Sequence, residues 1–311
     1  MATINLLAPS AANIPGAWKG AVTRTTPTEI VISDGTHTIS YTGTFQYNAG
    51  AIAGGTVTGY DVYQGTQLTA RATGISANVT PIDNVLGGGD VGESYAYTLA
   101  AADTFTGSAG NDVIRGYDGN DTINGGAGID TAVFSGNRAD YTIMAITDGP
   151  TITGYSVHSS ANNEGTDTLV NVERLRFADT SVAIDINGNG GQAYRLYQAA
   201  FDRTPDSAGL GFHIRGLDNG FKLADIAQNF IDSPEFASRY GNLDNTQFVT
   251  QLYRNVLDRE PEAAGLAFHV NNLNGNALSR AQTLANFSES PENQANLIGV
   301  IQDGFSFTPI I

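Results

Sequence analysis

Asp112, Asp121 and Asp130 recur at nine-residue intervals, and each lies two places after a glycine in a unit that itself opens on glycine. The units read Gly-Ser-Ala-Gly-Asn-Asp-Val-Ile-Arg (107–115), Gly-Tyr-Asp-Gly-Asn-Asp-Thr-Ile-Asn (116–124) and Gly-Gly-Ala-Gly-Ile-Asp-Thr-Ala-Val (125–133). Carboxylate oxygens are hard ligands of the kind Ca²⁺ prefers. Glycine reaches backbone conformations closed to other residues, so each unit can turn main-chain carbonyls inward around an ion. The pattern predicts cation binding by carboxylates and carbonyl oxygens together.

The elements that must position these groups are short. Ile114, Ile123 and Ala132, at the eighth place of each unit, are the side chains available for a narrow core between strands. In Gly, Asp and apolar positions together, the segment resembles the RTX, or hemolysin-type, calcium-binding repeat family. The resemblance implies a parallel β-roll with two units per turn, so residues 18 apart stack. It pairs Asp112 with Asp130, and Asp121 with Asp103 in the degenerate stretch 98–106, which lacks the glycines. The metal-binding set it implies is Asp103, Gly107, Ala109, Asp112, Gly116, Asp118, Asp121, Gly125, Ala127 and Asp130, holding two or more Ca²⁺ ions. Turns ~4.8 Å apart place carboxylates where they repel by roughly 3 kcal/mol at an effective dielectric near 20. Such a roll opposes its own closure until a cation arrives.

Composition agrees with a cation binder. The 311 residues hold 31 Asp and Glu against 15 Lys and Arg, a net charge of −16, which argues against nucleic acid or an anionic membrane as partner. Thirty-seven glycines with 41% hydrophobic residues describe a folded, turn-rich chain rather than a disordered acidic tail. The absence of cysteine excludes disulfides and thiolate metal sites. No stretch approaches the 18 apolar residues of a membrane span, and residues 1–20 lack the pattern of a Sec-type signal. RTX-like proteins leave the cell through a one-step type I system that reads a C-terminal signal, and residues 304–311 are compatible with one.

Residues 1–100 read as a β-rich domain. Thr28–Ser33 and Thr36–Tyr41 flank Asp34-Gly35 with apolar residues alternating, a hairpin signal, and a second hairpin joins Thr58–Tyr63 to Thr66–Ala72 through Gln64-Gly65. Trp18 and the tyrosines read as core or sheet-surface residues. Residues 101–190 are expected to hold the roll and a β segment that extends and caps it, like the segments that follow RTX repeats. Asp167 and Asp179 in that segment could be further ligands, with exposed turn carboxylates the favoured reading. Asp185-Ile-Asn-Gly-Asn-Gly190 imitates an EF-hand opening, but Leu196 stands where the bidentate Glu belongs, so a linker is expected.

From Gln192 the period turns helical, and a 56-residue offset superposes Tyr197–His213 on Tyr253–His269. Both copies carry Asp-Arg-x-Pro (202–205 and 258–261) and close on Ser-Pro-Glu (233–235 and 290–292). The latter is a helix start: an N-cap, a preset first turn and an anion at the positive end. Residues 191–311 are therefore a duplicated all-α domain of seven or eight helices, with repeats at about 193–245 and 248–299. It resembles an uncharacterised family found beside RTX repeats, more distantly the phycobilisome linker domains, and the helical region by which some Gram-negative surface-layer proteins attach to polysaccharide. His213 and His269 occupy matching places and read as structural or groove-lining rather than metal ligands.

The expected fold is α+β multidomain: an all-β N-terminal region, a short parallel β-roll and an all-α C-terminal domain. With these resemblances, the expected role is a secreted calcium-binding structural protein of a Gram-negative cell surface, an S-layer-like or matrix component. Its partners would be cell-surface polysaccharide or further copies of itself in an oligomer or lattice. A calcium-dependent carbohydrate-binding module is the alternative. An RTX-secreted hydrolase fits less well, since there is neither an H-E-x-x-H helix nor a G-x-S-x-G elbow.

Overall fold

The computed structural model describes residues 1–8, 18–79, 82, 85 and 89–310, and the chain divides into two compact units, residues 1–180 and 181–311. It is an α+β multidomain protein, β-rich at the N-terminal side and helical at the C-terminal side.

The first unit is organised by one eleven-stranded sheet. Strands β1 (Thr3–Leu6), β2 (Ala21–Thr25), β3 (Glu29–Ser33), β4 (His37–Asn48), β5 (Ala51–Gln64) and β6 (Gln67–Asn78) form an antiparallel array. Both expected hairpins are present: Asp34 opens the first turn, where Gly35 takes φ +91°, and Gly65 opens the second. Ile30, Ile32, Ile39 and Tyr41 alternate onto the buried face. One segment departs from the expected β pattern. Val91–Thr98 is a helix, α1, whose N-cap Asp90 accepts the Gly92 N–H at 2.8 Å. Val91, Tyr95 and Thr98 bury one face, and Ser94 bonds the Tyr41 hydroxyl at 2.6 Å. The helix signal was Asp90 followed three residues later by Glu93, a capping-box spacing.

The roll continues the same sheet. Strands β7 (Thr104–Thr106), β8 (Val113–Ile114), β9 (Thr122–Asn124) and β10 (Thr131–Val133) follow one another along the nonapeptides. β7 pairs in parallel with β9, and β8 with β10, each at an offset of 18 residues, the two-units-per-turn arrangement. A hairpin, β11 (Tyr141–Asp148) and β12 (Thr151–Ser159), is then inserted before the ladders resume. β13 (Thr166–Val170) adds in parallel to β9, and β14 (Arg174–Arg176) to β10. At the other end β1 lies parallel to β7. β1 thus serves as a rung of the roll and ties it to the antiparallel array. Ile4, Phe105, Ile123 and Leu169 stack inward from one ladder, and Ile114, Ala132 and Leu175 from the other, all at most 3% exposed. At roughly 1.5–3 kcal/mol per large apolar side chain, this file of residues is the roll's hydrophobic support.

The second unit pairs β15 (Ser181–Ala183) with β16 (Phe305–Phe307) and holds eight helices among the described residues. They are α2 (Asn189–Phe201), α3 (Ser207–Asp218), α4 (Leu223–Ile231), α5 (Pro234–Tyr240), α6 (Asn245–Leu257), α7 (Ala263–Asn274), α8 (Arg280–Ser288) and α9 (Pro291–Ile301). The duplication is visible helix by helix. Asp202 and Asp258 close α2 and α6 in the left-handed region, and Ser233 and Ser290 cap α5 and α9 ahead of proline. Residues 185–190 are not a free linker: Asp185 accepts the Gly190 N–H at 3.0 Å, and α2 begins at Asn189.

Candidate metal centre

Two columns of acidic side chains run along the turns of the roll. In the first, Asp121 Oδ1 accepts the main-chain N–H of Asp103 at 2.8 Å, and Asp167 Oδ1 accepts that of Asp121 at 2.9 Å. Asp103 Oδ1 in turn accepts the N–H of Ala2. In the second, Asp130 Oδ1 accepts the N–H of Asp112 at 2.7 Å, and Glu173 Oε2 accepts that of Asp130 at 2.8 Å. The structure thus brings Asp103 to Asp121 and Asp112 to Asp130. All four, and Asp167, are at most 2% exposed.

Asp167 does not sit in an exposed turn. Its burial follows from β13 completing the ladder after the inserted hairpin, which carries the residue back beneath Asp121. Asp179 is exposed and accepts the Arg138 N–H. Glu173 was given no role by its sequence, because 43 residues rather than 18 separate it from Asp130.

The glycines act through close approach of stacked turns. A Cβ on Gly107 would stand 1.7 Å from the Gly125 carbonyl oxygen, and one on Gly116 would stand 2.2 Å from Asp121 Oδ2. Gly125 lies likewise against Asp130 Oδ2. Ala109, Asp118 and Ala127 occupy the exposed third places of their turns, where the two alanines can offer an ion only main-chain oxygens.

Do these residues fit calcium? Asp103, Asp121 and Asp130 each keep a buried Oδ2 with no hydrogen-bond partner. A buried acceptor left unmatched is costly, and three at the equivalent place of their turns, two in one column and one in the other, mark positions shaped for a cation. Among the described residues no three His, Asp or Glu side chains converge to hold a metal. An ion here must complete its six to eight oxygen ligands with main-chain carbonyls, which glycine-rich turns supply. In Asp112 the Oδ2 is held by the Ser108 N–H and hydroxyl at 2.6 and 2.9 Å.

Electrostatics tell the same story. Burial raises the Asp103 carboxyl and pushes Asp121 up to about 7, Asp130 to about 6 and Asp167 to about 8. N–H donors from the neighbouring turn pull them down, and like-charged neighbours within each column add to the rise of the last three. Without metal the first column, Asp167 above all, holds protons at neutral pH. A divalent cation would displace those protons and neutralise the charge they leave.

In the helical unit the matched motifs pair with each other. Arg203 forks onto Glu235 at 2.9 and 3.0 Å, and Arg259 onto Glu292 at 3.1 and 3.2 Å, joining each Asp-Arg-x-Pro to its own Ser-Pro-Glu. His213 stacks on Phe230 and His269 packs against Phe287. Both Nδ1 atoms are buried without a hydrogen-bond partner, and burial holds His213 down at about 4 and lowers His269.

Residues 97–132 match the RTX calcium-binding nonapeptide repeat (4 copies), so the match takes in the glycine-poor turn that carries Asp103. Residues 227–297 match a domain of unknown function (DUF4214), which spans the end of the first helical copy and most of the second. No curated protein matches the chain.

Proposed function

We propose that the protein is a secreted, calcium-stabilised structural component of a bacterial cell surface, S-layer-like or matrix-forming, whose helical unit docks onto envelope polysaccharide or onto further copies. The observation that carries the calcium part is the set of buried, unpartnered carboxylate oxygens at Asp103, Asp121 and Asp130. Calcium supplies the positive charge that lets ionised carboxylates stack. At 100-fold excess over its dissociation constant each ion adds about 2.7 kcal/mol. Two or three ions would then rival the ~5–15 kcal/mol stability of a domain. Such a chain stays loose where calcium is scarce and folds where it is plentiful, which suits export before folding. The role is scaffolding rather than catalysis.

The docking part is supported by solvent-facing aromatics on the duplicated helices. Phe212 and Phe268 hold matching places and are 58% and 61% exposed. Phe212 and Phe221 border a cavity of about 230 Å³ that Asn219 and Asn229 also line. Aromatic faces beside amide groups suit a sugar ring, with its apolar face and polar rim. A calcium titration followed by far-UV circular dichroism and light scattering, with pelleting on envelope fragments, tests the proposal. Calcium should order the full-length protein and promote assembly or envelope binding, and Phe212→Ala with Phe221→Ala should weaken the latter. A chain that folds in calcium yet neither assembles nor binds envelopes would refute the surface role. Calcium-dependent binding of soluble glycans without assembly would favour a carbohydrate-binding module.

A further inference from the structure

We infer that Asp167 completes a cation site with the turn of Asp121, one that reaches beyond the nonapeptides and clamps the inserted hairpin onto the roll. The inference rests on the calcium reading above and goes beyond it, since Asp167 follows Asp121 by 46 residues instead of 18.

The gap between these turns reproduces, bond for bond, the gaps between repeats. Asp167 Oδ1 accepts the Asp121 N–H as Asp121 Oδ1 accepts that of Asp103 and Asp130 Oδ1 that of Asp112. The Thr168 N–H meets the Asp121 carbonyl at 2.8 Å, as Thr122 meets Asp103 at 2.9 Å and Thr131 meets Asp112 at 2.8 Å. Asn120 Oδ1 takes the Thr166 N–H at 2.8 Å, just as Asn111 Oδ1 takes that of Ile129 at 2.9 Å. Gly165, two places before Asp167, has φ +70° and sits directly on Gly119, where a Cβ would come within 2.3 Å of its carbonyl oxygen. Gly119 sits on Ala101 and Gly128 on Gly110 in the same manner. Thus residues 165–168 imitate places four to seven of a nonapeptide, although their sequence, Gly-Thr-Asp-Thr, follows a hairpin rather than another unit.

Asp121 belongs to both gaps of its column. It is 1% exposed, and its Oδ2 has no partner. That oxygen lies 2.2 Å from where a Gly116 Cβ would stand, so it points into the turn that faces Asp167 on one side and Asp103 on the other. A carboxylate shared by two gaps can ligate ions in both, as a carboxylate has two oxygens and about four lone-pair positions. An ion between Asp121 and Asp167 would fasten the chain on both sides of the β11–β12 hairpin. Calcium would then hold residues 137–163 in place without touching them.

Asp167→Asn is the direct test. Asparagine keeps the Oδ1 acceptor for the Asp121 N–H and removes only the charge. Calcium bound per chain is counted by native mass spectrometry and equilibrium dialysis on the full chain, with Asp179→Asn as control. The wild type and Asp179→Asn should carry the same number of ions, and Asp167→Asn one fewer, or one weakened at least tenfold. Equal counts and affinities in wild type and Asp167→Asn would overturn the inference while leaving the calcium reading intact. A wild type that takes up no calcium would sink both. Matching circular dichroism of metal-free wild type and variant checks the fold. Should the variant misfold, hydrogen exchange on the wild type decides. Calcium must then protect residues 160–170 along with 107–133, and protection confined to 107–133 would refute the clamp.

Discussion

Stripping the metal and raising the pH should unfold the first unit, and calcium should reverse it. Asp121, Asp130 and Asp167 have carboxyls pushed by burial to about 7, 6 and 8, against an ordinary value near 3.8. The folded, metal-free protein therefore binds more protons than the unfolded chain, and its stability falls as pH rises. The loss begins near pH 4, where the unfolded carboxyls ionise, and is complete only above pH 8, the highest folded value. At 1.36 kcal/mol per unit, the three shifts amount to a loss on the order of 10 kcal/mol. That is comparable to the ~5–15 kcal/mol that holds a domain together. Dialysed, metal-free protein should show a melting transition for residues 1–180 that drops steeply from pH 5 to pH 8 in scanning calorimetry. Millimolar calcium should restore it at pH 8 and change it little at pH 5, with proton release on binding visible as a buffer-dependent enthalpy. A metal-free transition that stays level or climbs between pH 5 and pH 8 would refute the argument, because the columns would then not be holding protons.

Other perturbations separate the parts. Gly126→Ala places a Cβ 2.3 Å from the Ser108 carbonyl oxygen at φ +97°, so it should cost about 3 kcal/mol and weaken calcium uptake; Gly149→Ala, at an open hairpin tip, should cost only about 1 kcal/mol, as calorimetry can compare. Arg195, 3% exposed, forks onto Glu289 at 2.8 and 2.6 Å, and Arg195→Ala should destabilise the helical unit by about 3 kcal/mol in urea titration with no change in calcium count. His213, held at about 4 by burial, binds fewer protons folded than unfolded, so its contribution is present above pH 6.5 and lost as pH falls towards 4. The loss is up to about 3 kcal/mol, less for the ring's partial exposure, and His213→Phe should blunt the acid sensitivity of that unit's melting.

Legibility followed sequence distance. The nonapeptides spell out their own spacing, so the inward Ile114, Ile123 and Ala132 followed from local pattern, and the 18-residue offset and the meeting of Asp112 with Asp130 from the RTX resemblance that this pattern carries. Asp167 and Glu173 did not, because the β11–β12 insertion lengthens the return to 46 and 43 residues and no periodicity survives it. The rung formed by β1 was hidden for the same reason, since Thr3 pairs with Thr104 across a hundred residues. A subtler signal went unused. The Asp-Arg-x-Pro recurs after 56 residues and the Ser-Pro-Glu after 57, and a charge repeated in both motifs of both copies marks a pair. The forks Arg203–Glu235 and Arg259–Glu292 are that pair.

The two units answer acid in opposite directions, and this follows from which charge state each has buried. The roll buries carboxyls that are neutral when protonated, so acid relieves it; the helical unit buries imidazoles that are neutral when deprotonated, so acid strains it. Calcium acts on the first alone, by replacing protons with a charge that the columns can keep at any pH above the carboxylate range. Near pH 8 with calcium both penalties vanish together. Without calcium no single pH removes both, since the roll's loss has begun by pH 4 and that of His213 is fully relieved only above pH 6.5. The ion is thus what gives the two units a common range of stability, and the calcium level sets whether the roll is loose or firm.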